Sequence, residues 1–187
     1  MATADEPHHP DAGAAGVTVC VPDLSHGRGL WQVVSDSKVL DVNSSYAYLL
    51  WCHDFADTSA VALEGDQVVG FVTGYLRPAA PDTLMIWQVA VDERQRGSGL
   101  AGRMLHDILD RAQPRGARWL HTTISPDNEA SIRLFSGVAR DRGTTIECRD
   151  LFSPEHFPDG HGAEDLYVLG PFEPTRSTPH DSSTEQQ

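Results

Sequence analysis

Apolar side chains recur along the chain at two spacings, which predict alternating helices and strands. The strongest helical pattern covers residues 98–112. Its apolar stripe consists of Ala101, Met104, Leu105, Ile108 and Leu109. Residues 27–35 and 44–54 carry shorter helical patterns. In the second half, Ser125 and Pro126 have the residue types of an N-cap and a first helical position, and residues 140–143 end that helix.

The remaining apolar segments are short and predict strands. They are residues 17–21, 60–63, 68–74, 84–91, 119–124 and 165–169. The polar residues 64–67 separate two of these segments and predict a hairpin. Hairpins followed by a strand–helix–strand–helix unit predict an α/β fold, with a mixed sheet and helices on both faces.

The two ends of the chain differ in composition from its middle. Residues 1–16 are rich in Ala, Gly, Asp, Pro and His, and residues 173–187 are mostly Ser, Thr, Pro, Glu and Gln. Such segments bury too little apolar surface to offset the entropy lost on ordering. We therefore expect disordered tails at both ends and one folded domain over residues 17–172.

The charge balance restricts the classes of partner. The formal net charge is −13, which opposes general nucleic-acid binding and suits either simple solubility or attraction of a cationic substrate. No apolar run approaches the roughly 20 residues of a membrane span, and the N-terminal residues do not resemble a signal peptide. The cysteines, Cys20, Cys52 and Cys148, lack metal-type spacing. These features predict a cytoplasmic protein without a membrane partner or a metal.

A turn rich in arginine and glycine follows the strand predicted at residues 84–91. Between Arg94 and Arg103 there is no acidic residue, and Gly97 and Gly99 precede the predicted helix. A helix N-terminus binds anions through free N–H groups and the helix dipole, and glycine lets the backbone approach the ligand. The turn therefore predicts an anion site.

This turn resembles the acyl-CoA-binding motif of the GNAT superfamily of N-acetyltransferases. Asn128, Ala130 and the Leu134–Phe135 pair resemble the motif on the helix that follows. The resemblance implies a GNAT fold with a mostly antiparallel sheet, a V-shaped opening between the central strands, and acetyl-CoA as cosubstrate. The implied coenzyme contacts are Val89, Val91, Arg94, Arg96, Gly97, Ser98, Gly99, Leu100, Ala101 and Asn128. Helix capping is the alternative role for Asn128.

A narrower resemblance extends over about residues 17 to 171. Residues 39–46, 48–52, 54–59, 70–75, 87–91 and 126–131 resemble the family that acetylates the γ-amine of L-2,4-diaminobutyrate in ectoine biosynthesis. It implies that the acceptor contacts Asp41, Asn43, Ser44, Tyr46, Trp87 and Gln88. The residue types of Asp41, Asn43 and Ser44 fit helix capping equally well. The family also implies a homodimer, for which Phe71, Val72 and residues 84–86 offer apolar surface.

The reaction requires a group that accepts the proton of the attacking amine. Glu164 is our first candidate and His161 the second, with Asp41 and His156 as further candidates. The backbone N–H of Val89 is the expected oxyanion donor.

The chain also departs from the superfamily pattern. Phe135 stands where many relatives have a tyrosine that protonates the leaving thiolate. Two alternatives to the narrow assignment stay open. One is an acetyltransferase for another small amine, and the other is a non-catalytic acyl-CoA-binding module.

Overall fold

The computed structural model describes residues 16–37, 40 and 42–173, which form one mixed sheet with helices on both faces. The strands are β1 Thr18–Cys20, β2 Ala60–Glu64, β3 Gln67–Arg77, β4 Ala80–Val91, β5 Trp119–Ile124, β6 Thr145–Phe152 and β7 Glu164–Gly170. The α-helices are α1 Gly27–Ser37, α2 Ser45–His53, α3 Leu100–Ala112 and α4 Glu129–Asp141. Short 3-10 helices occupy Leu24–His26, Ala56–Thr58, Glu93–Gln95, Gln113–Arg115 and Pro154–His156. Asp41 and nearly all of both predicted tails lie outside the described residues.

The seven strands lie in the order β1-β2-β3-β4-β5-β7-β6. Every neighbouring pair is antiparallel except β4 and β5, which are parallel. The prediction of a mixed, mostly antiparallel sheet is therefore confirmed. The turn between β2 and β3 contains Gly65, at φ 61°, as the hairpin prediction requires.

The parallel pairing at the centre of the sheet is short. β4 and β5 are in register from Thr83–Trp119 to Ile86–Thr122, and there the pairing stops. Both strands continue, β4 as far as Val91 and β5 as far as Ile124. Their carboxyl-terminal halves therefore border the V-shaped opening that the resemblance implied.

A β-bulge at Trp87 lies directly after the last paired position. Thr73 of β3 faces Gln88, whereas the next residue, Gly74, faces Ile86, so Trp87 is an extra residue in β4. A bulge bends its strand and interrupts the alternation of side chains. As a result, two consecutive side chains, Trp87 and Gln88, both contact helix α2.

Each face of the sheet has its own apolar core. Helices α3 and α4 cover one face, where the predicted stripe of α3 is buried through Met104, Leu105, Ile108 and Leu109. Helices α1 and α2 cover the other face, around Leu30, Val34, Tyr48 and Phe71. Burial of such side chains stabilises a fold by roughly 1.5–3 kcal/mol each.

Two features of the second half differ from the sequence-based expectation. Helix α4 begins at Glu129 and not at Pro126, because the Asn128 side chain caps it by accepting from the Ser131 N–H at 3.1 Å. Strand β6 was not predicted. Its residues are exposed on both faces, apart from half-buried Ile146, so they lack the apolar alternation of a strand that covers a core.

The apolar surface proposed for a dimer is interior instead. Phe71, Val72, Leu84 and Ile86 are all at most 1% exposed, because both faces of the central strands are covered by helices. The prediction that these four residues form an interface is wrong, whereas Met85 between the last two is half-buried.

A glycine in β3 provides a stability test. A Cβ at Gly74 would lie 2.8 Å from the Met85 carbonyl oxygen and 3.0 Å from that of Thr58, both backbone atoms. Gly74→Ala should lower the free energy of unfolding by roughly 1–3 kcal/mol in urea denaturation. Gly137→Ala is the control, since its Cβ meets only the end of Arg140 in helix α4. It should raise that free energy by roughly 0.5–1 kcal/mol. Equal midpoints for the two variants would contradict the close contact.

Candidate active site

The wall of the opening formed by β4 presents unpaired backbone groups. The Asp92 N–H donates to the Val69 carbonyl oxygen at 2.9 Å. In an antiparallel pair, the N–H and C=O groups of successive residues point alternately toward the partner strand and away from it. Asp92 points toward β3, and Val91, opposite Gly70, and Val89, opposite Val72, have the other orientation. The N–H and C=O groups of Val89 and Val91 therefore point away from β3, into the space from which β5 has parted.

An acidic side chain borders the opposite wall. Glu164 begins β7 beside the end of β5, and the Ser125 hydroxyl donates to its Oε1 at 2.6 Å. The His161 Nε2 lies 3.9 Å from the same oxygen, and the Glu164 side chain is 17% exposed. Ser125 and Val89 are each three residues beyond the last paired position of their strands. The carboxylate and the Val89 N–H therefore both lie beyond the last paired position, on opposite walls of the opening.

Of the two predicted bases, His161 has the more restricted geometry. Its Nδ1 lies 3.0 Å from the Gly162 carbonyl oxygen, which only accepts hydrogen bonds. That contact assigns the proton to Nδ1 and directs Nε2 toward Glu164. His156 makes a local contact instead, since its Nδ1 accepts a hydrogen bond from the Ser153 N–H at 3.0 Å.

Helix α2 brings the predicted acceptor residues toward β4. The Tyr48 hydroxyl donates to Gln88 Oε1 at 3.4 Å, and Tyr48 itself is fully buried. Ser44 occupies the N-cap position of α2, but its side chain makes no capping hydrogen bond. Asn43 is half-buried, and Tyr46 is 66% exposed in the first turn. The capping role considered for Ser44 is therefore not realised.

A group of four aromatic rings adjoins these residues. The ring of Trp51 lies 5.4 Å from that of Trp87, 4.9 Å from Phe55 and 6.4 Å from Tyr75. Trp87 remains 58% exposed, so its ring is held on one side and open on the other. Trp51 was not predicted as a site residue, and Tyr48 was considered only as a possible proton donor to the leaving thiolate. The four-residue spacing of Tyr48 from Ser44 in one helix would have been the signal for its place near the acceptor residues.

The glycine turn has the geometry of an anion site. Gly97 and Gly99 have φ values of 76° and 79°, and a Cβ on either would enter open space. Gly99 is the N-cap of α3 and offers no side chain to its first turn, so the N–H groups of Leu100 and Ala101 are directed outward. These residues fit a phosphate-bearing ligand, because the space a Cβ would fill is left for it.

The arginines near the turn differ in their availability. Arg94 forms a two-pronged ion pair with Asp92, with Nη2–Oδ2 at 3.0 Å. The hydrogen bonds from Arg94 hold the pKa of Asp92 below its usual range, and Asp92 raises the pKa of Arg94. Arg103 donates to the Val17 carbonyl oxygen at 2.8 Å. The positive charge of Arg94, which the sequence analysis counted toward anion binding, is therefore already paired with Asp92.

Two cavities flank the turn. The smaller, about 390 Å³, lies between α3 and α4 next to Gly99 and is lined by Gly102, Arg103 and Arg133 among others. The larger, about 830 Å³, lies against α1 and includes Arg94 and Arg96. The larger cavity contains none of the predicted acceptor residues. The smaller one adjoins the free N–H groups of α3.

The next motif contributes a cap and a core residue. The Asn128 Oδ1 is used in capping α4. Phe135 is 2% exposed and packs within the core between α3, α4 and the sheet. This position therefore supplies no proton to the opening.

Within residues 16–37, 40 and 42–173 there is no group of three or more His, Cys, Asp or Glu side chains that could hold a metal ion. Over the same residues, no helix has both the length and the apolar character needed to cross a membrane.

Comparison with known proteins gives consistent results at two levels. Residues 29–137 match the Acetyltransferase (GNAT) family. A relative from Streptomyces coelicolor, an L-2,4-diaminobutyric acid acetyltransferase, is 53% identical over 86% of this chain and 96% of its own. A relative of the same name from Marinococcus halophilus is 43% identical over 81% and 88%.

A solved structure is similar over nearly its whole length. Diaminobutyrate acetyltransferase EctA from Paenibacillus lautus, in complex with its substrate L-2,4-diaminobutyric acid and coenzyme A, has a TM-score of 0.81 and 36% identity. The match covers 87% of this chain and 99% of that one. YncA from Salmonella typhimurium, with its cofactor acetyl-CoA, shares the fold at a TM-score of 0.66 and 17% identity. This chain belongs to the GNAT acetyltransferase family and, within it, to the L-2,4-diaminobutyric acid acetyltransferases.

Proposed function

We propose that this protein transfers the acetyl group of acetyl-CoA to the γ-amine of L-2,4-diaminobutyrate, a step of ectoine biosynthesis. The observation that carries the proposal is the 53% identity to a diaminobutyric acid acetyltransferase over 86% of the chain. The structure supports it with an opening that has a carboxylate on one wall and unpaired strand backbone on the other.

Deprotonation of the amine is assigned to Glu164. An alkyl amine with a pKa of about 10 arrives as an ammonium ion and must lose a proton before it attacks. The Ser125 hydroxyl donates one hydrogen bond to Oε1 of Glu164, and the Glu164 side chain is still partly exposed. His161 lies beside the same oxygen and is the second member of the pair that receives the proton.

The strand opposite orients the acyl donor. The coenzyme supplies the acetyl thioester when bound. The Val89 N–H points into the opening and is the proposed donor to the oxygen on which charge develops. The Val91 N–H and C=O are available to an extended amide-containing arm, in the way an added strand binds.

The glycine turn is proposed to hold the coenzyme phosphates. The backbone N–H groups of residues 96–101 and the N-terminus of α3 provide fixed partial positive charge. The residues proposed to contact the coenzyme in this part of the site are Arg94, Arg96, Gly97, Ser98, Gly99, Leu100, Ala101 and Asn128. Because Arg94 is already paired with Asp92, we expect it to contribute less to phosphate binding than Arg96.

The acceptor is proposed to bind between the start of α2 and the bulge of β4. Trp87 offers an apolar wall that Trp51 supports, and Gln88 is oriented by Tyr48. The hydroxyl of Ser44, unused in capping, and the side chain of Asn43 suit the carboxylate of the acceptor. Tyr46 and Asp41 complete the proposed set. The net charge of −13 favours the approach of a molecule with two ammonium groups.

We further infer a homodimer in the cytoplasm, as the family resemblance implies.

Direct product analysis tests the proposed reaction. Incubation with acetyl-CoA and L-2,4-diaminobutyrate should yield a mono-acetylated product, and fragmentation in mass spectrometry should locate the acetyl group on the γ-nitrogen. A substrate analogue without the γ-amine, 2-aminobutyrate, should not react. Turnover of other amines alone would indicate a different acetyltransferase. Coenzyme binding without turnover of any amine would indicate a binding module.

The role of Glu164 predicts a pH-dependent loss of rate. Glu164→Gln should lower kcat by roughly 10²–10⁴-fold. The loss should be largest at low pH, because a rising pH provides more neutral amine without a base. Glu155→Gln is the control, since Glu155 is exposed in the same part of the chain. Unchanged turnover in Glu164→Gln across the pH range would reject this role.

The glycine turn predicts a selective loss of coenzyme affinity. In Gly97→Ala the new Cβ occupies the open space assigned to phosphate, so calorimetry should give at least a roughly tenfold weaker Kd for acetyl-CoA. Gly65→Ala is a matched control, because Gly65 also has a positive φ and open space around it. Both variants should lose about 1 kcal/mol of stability or somewhat more. Equal affinities of the two variants would exclude phosphate binding at this turn.

A further inference from the structure

The carboxylate proposed as the base, Glu164, is held by a side-chain hydrogen bond to one of its oxygens. Within the part of the chain that the structure describes, the Ser125 hydroxyl is the side-chain group that donates to it, at 2.6 Å from Oε1. The His161 Nε2 lies 3.9 Å from the same oxygen, which is longer than a hydrogen bond. Both neighbours approach Oε1, so Oε2 is the oxygen left to face the amine.

The backbone that carries Ser125 is fixed on both sides. The preceding residue, Ile124, is the last residue of β5 and pairs with Asp165 of β7. On the other side, the Asn128 N–H donates to the Ser125 carbonyl oxygen at 2.9 Å, which closes a turn. Pro126 follows and disfavours a helical conformation at the residue before it. The hydroxyl is therefore presented from a well-defined position.

The backbone of Glu164 is also fixed, but its side chain needs a further contact. Glu164 begins β7, and its backbone pairs with Phe152 of β6. Ser125 stands opposite Glu164, one step beyond the last pair of β5 and β7, and opposite residues of an antiparallel pair direct their side chains to the same face. A glutamate side chain turns about several bonds, so a fixed backbone alone leaves its carboxylate free to change rotamer. The hydrogen bond from Ser125 selects one arrangement.

We propose that Ser125 is a positioning residue for the acetyl transfer and acts through Glu164. Its hydroxyl holds Oε1, so that Oε2 faces the ammonium group and takes the proton that nitrogen must lose before its lone pair attacks the thioester carbonyl. This role rests on the proposed function, in which Glu164 is the base. A misplacement of a reacting group by about 1 Å lowers a rate by roughly 10²-fold, so one hydrogen bond of this kind affects turnover strongly.

Removal of the hydroxyl tests this role. Ser125→Ala should lower kcat for L-2,4-diaminobutyrate by roughly 10–100-fold, because the carboxylate is no longer held toward the amine. The KM values for the acceptor and for acetyl-CoA should stay within roughly threefold of wild type, since the hydroxyl contacts the base and not the substrates. Ser125→Thr keeps a hydroxyl on the same carbon atom and should return kcat to within roughly threefold of wild type.

A second serine provides the matched control. The Ser153 hydroxyl also contacts a side chain between β6 and β7, the His156 Nδ1 at 3.1 Å, but that contact does not involve Glu164. Ser153→Ala should therefore keep the wild-type kcat. A wild-type kcat in Ser125→Ala, or a Ser125→Thr variant as slow as Ser125→Ala, would overturn the proposal.

A double variant separates positioning from a purely structural effect. Once Glu164→Gln has removed the base, the hydroxyl has no base to position, so adding Ser125→Ala should lower kcat at most roughly twofold further. Two losses that multiply in full would show that Ser125 acts independently of Glu164 and would overturn the proposal. Normal turnover in Glu164→Gln would reject the base itself. A slow Glu164→Gln variant beside a fast Ser125→Ala variant would reject the role of Ser125 alone.

Discussion

The parting of β4 from β5 after Ile86 and Thr122 is the constraint on which the site depends. Had the parallel pairing continued to Val91, every backbone group of this wall would be used within the sheet. Because it stops, the Val89 and Val91 groups face an opening, and buried backbone groups left unpaired favour a ligand that bonds to them. β7 pairs with β5 on its other side and places Glu164 across from them. One interruption of a ladder thus provides both the space and its two chemically different walls.

The acidic composition makes the anion site depend on backbone more than on side-chain charge. Acids outnumber bases by 27 to 14, and one of the arginines near the turn, Arg94, is already paired with Asp92. Backbone dipoles at the start of α3 cannot be neutralised in this way, because their orientation is fixed by the helix. Two positive-φ glycines hold the turn open to these dipoles. The protein thus combines a field that favours cations with a local site for an anion.

The sequence predicted elements whose pattern reflects a single buried face. The stripe of α3 and the bounds of β5 agree with the structure for this reason. β6 was missed because an exposed edge strand has no buried face. The start of α4 was misplaced because the side chain of Asn128 caps this helix, whereas the Ser125 hydroxyl donates to Glu164. The apolar residues of β3 and β4 indicated an interface only because burial by helices on both faces is not visible in a local pattern. Contacts such as Tyr48 with Gln88 depend on strand register and were beyond prediction.

The extra residue at Trp87 makes the number of residues in β4 as important as their identity. A chain shorter by this one residue would keep regular alternation through the strand, so β4 would lose its bend away from β5 and the parallel ladder could extend into the opening. Only one side chain, in place of two, would then face α2. A deletion of one residue in this strand would therefore change the shape of the site more than a substitution at the same place.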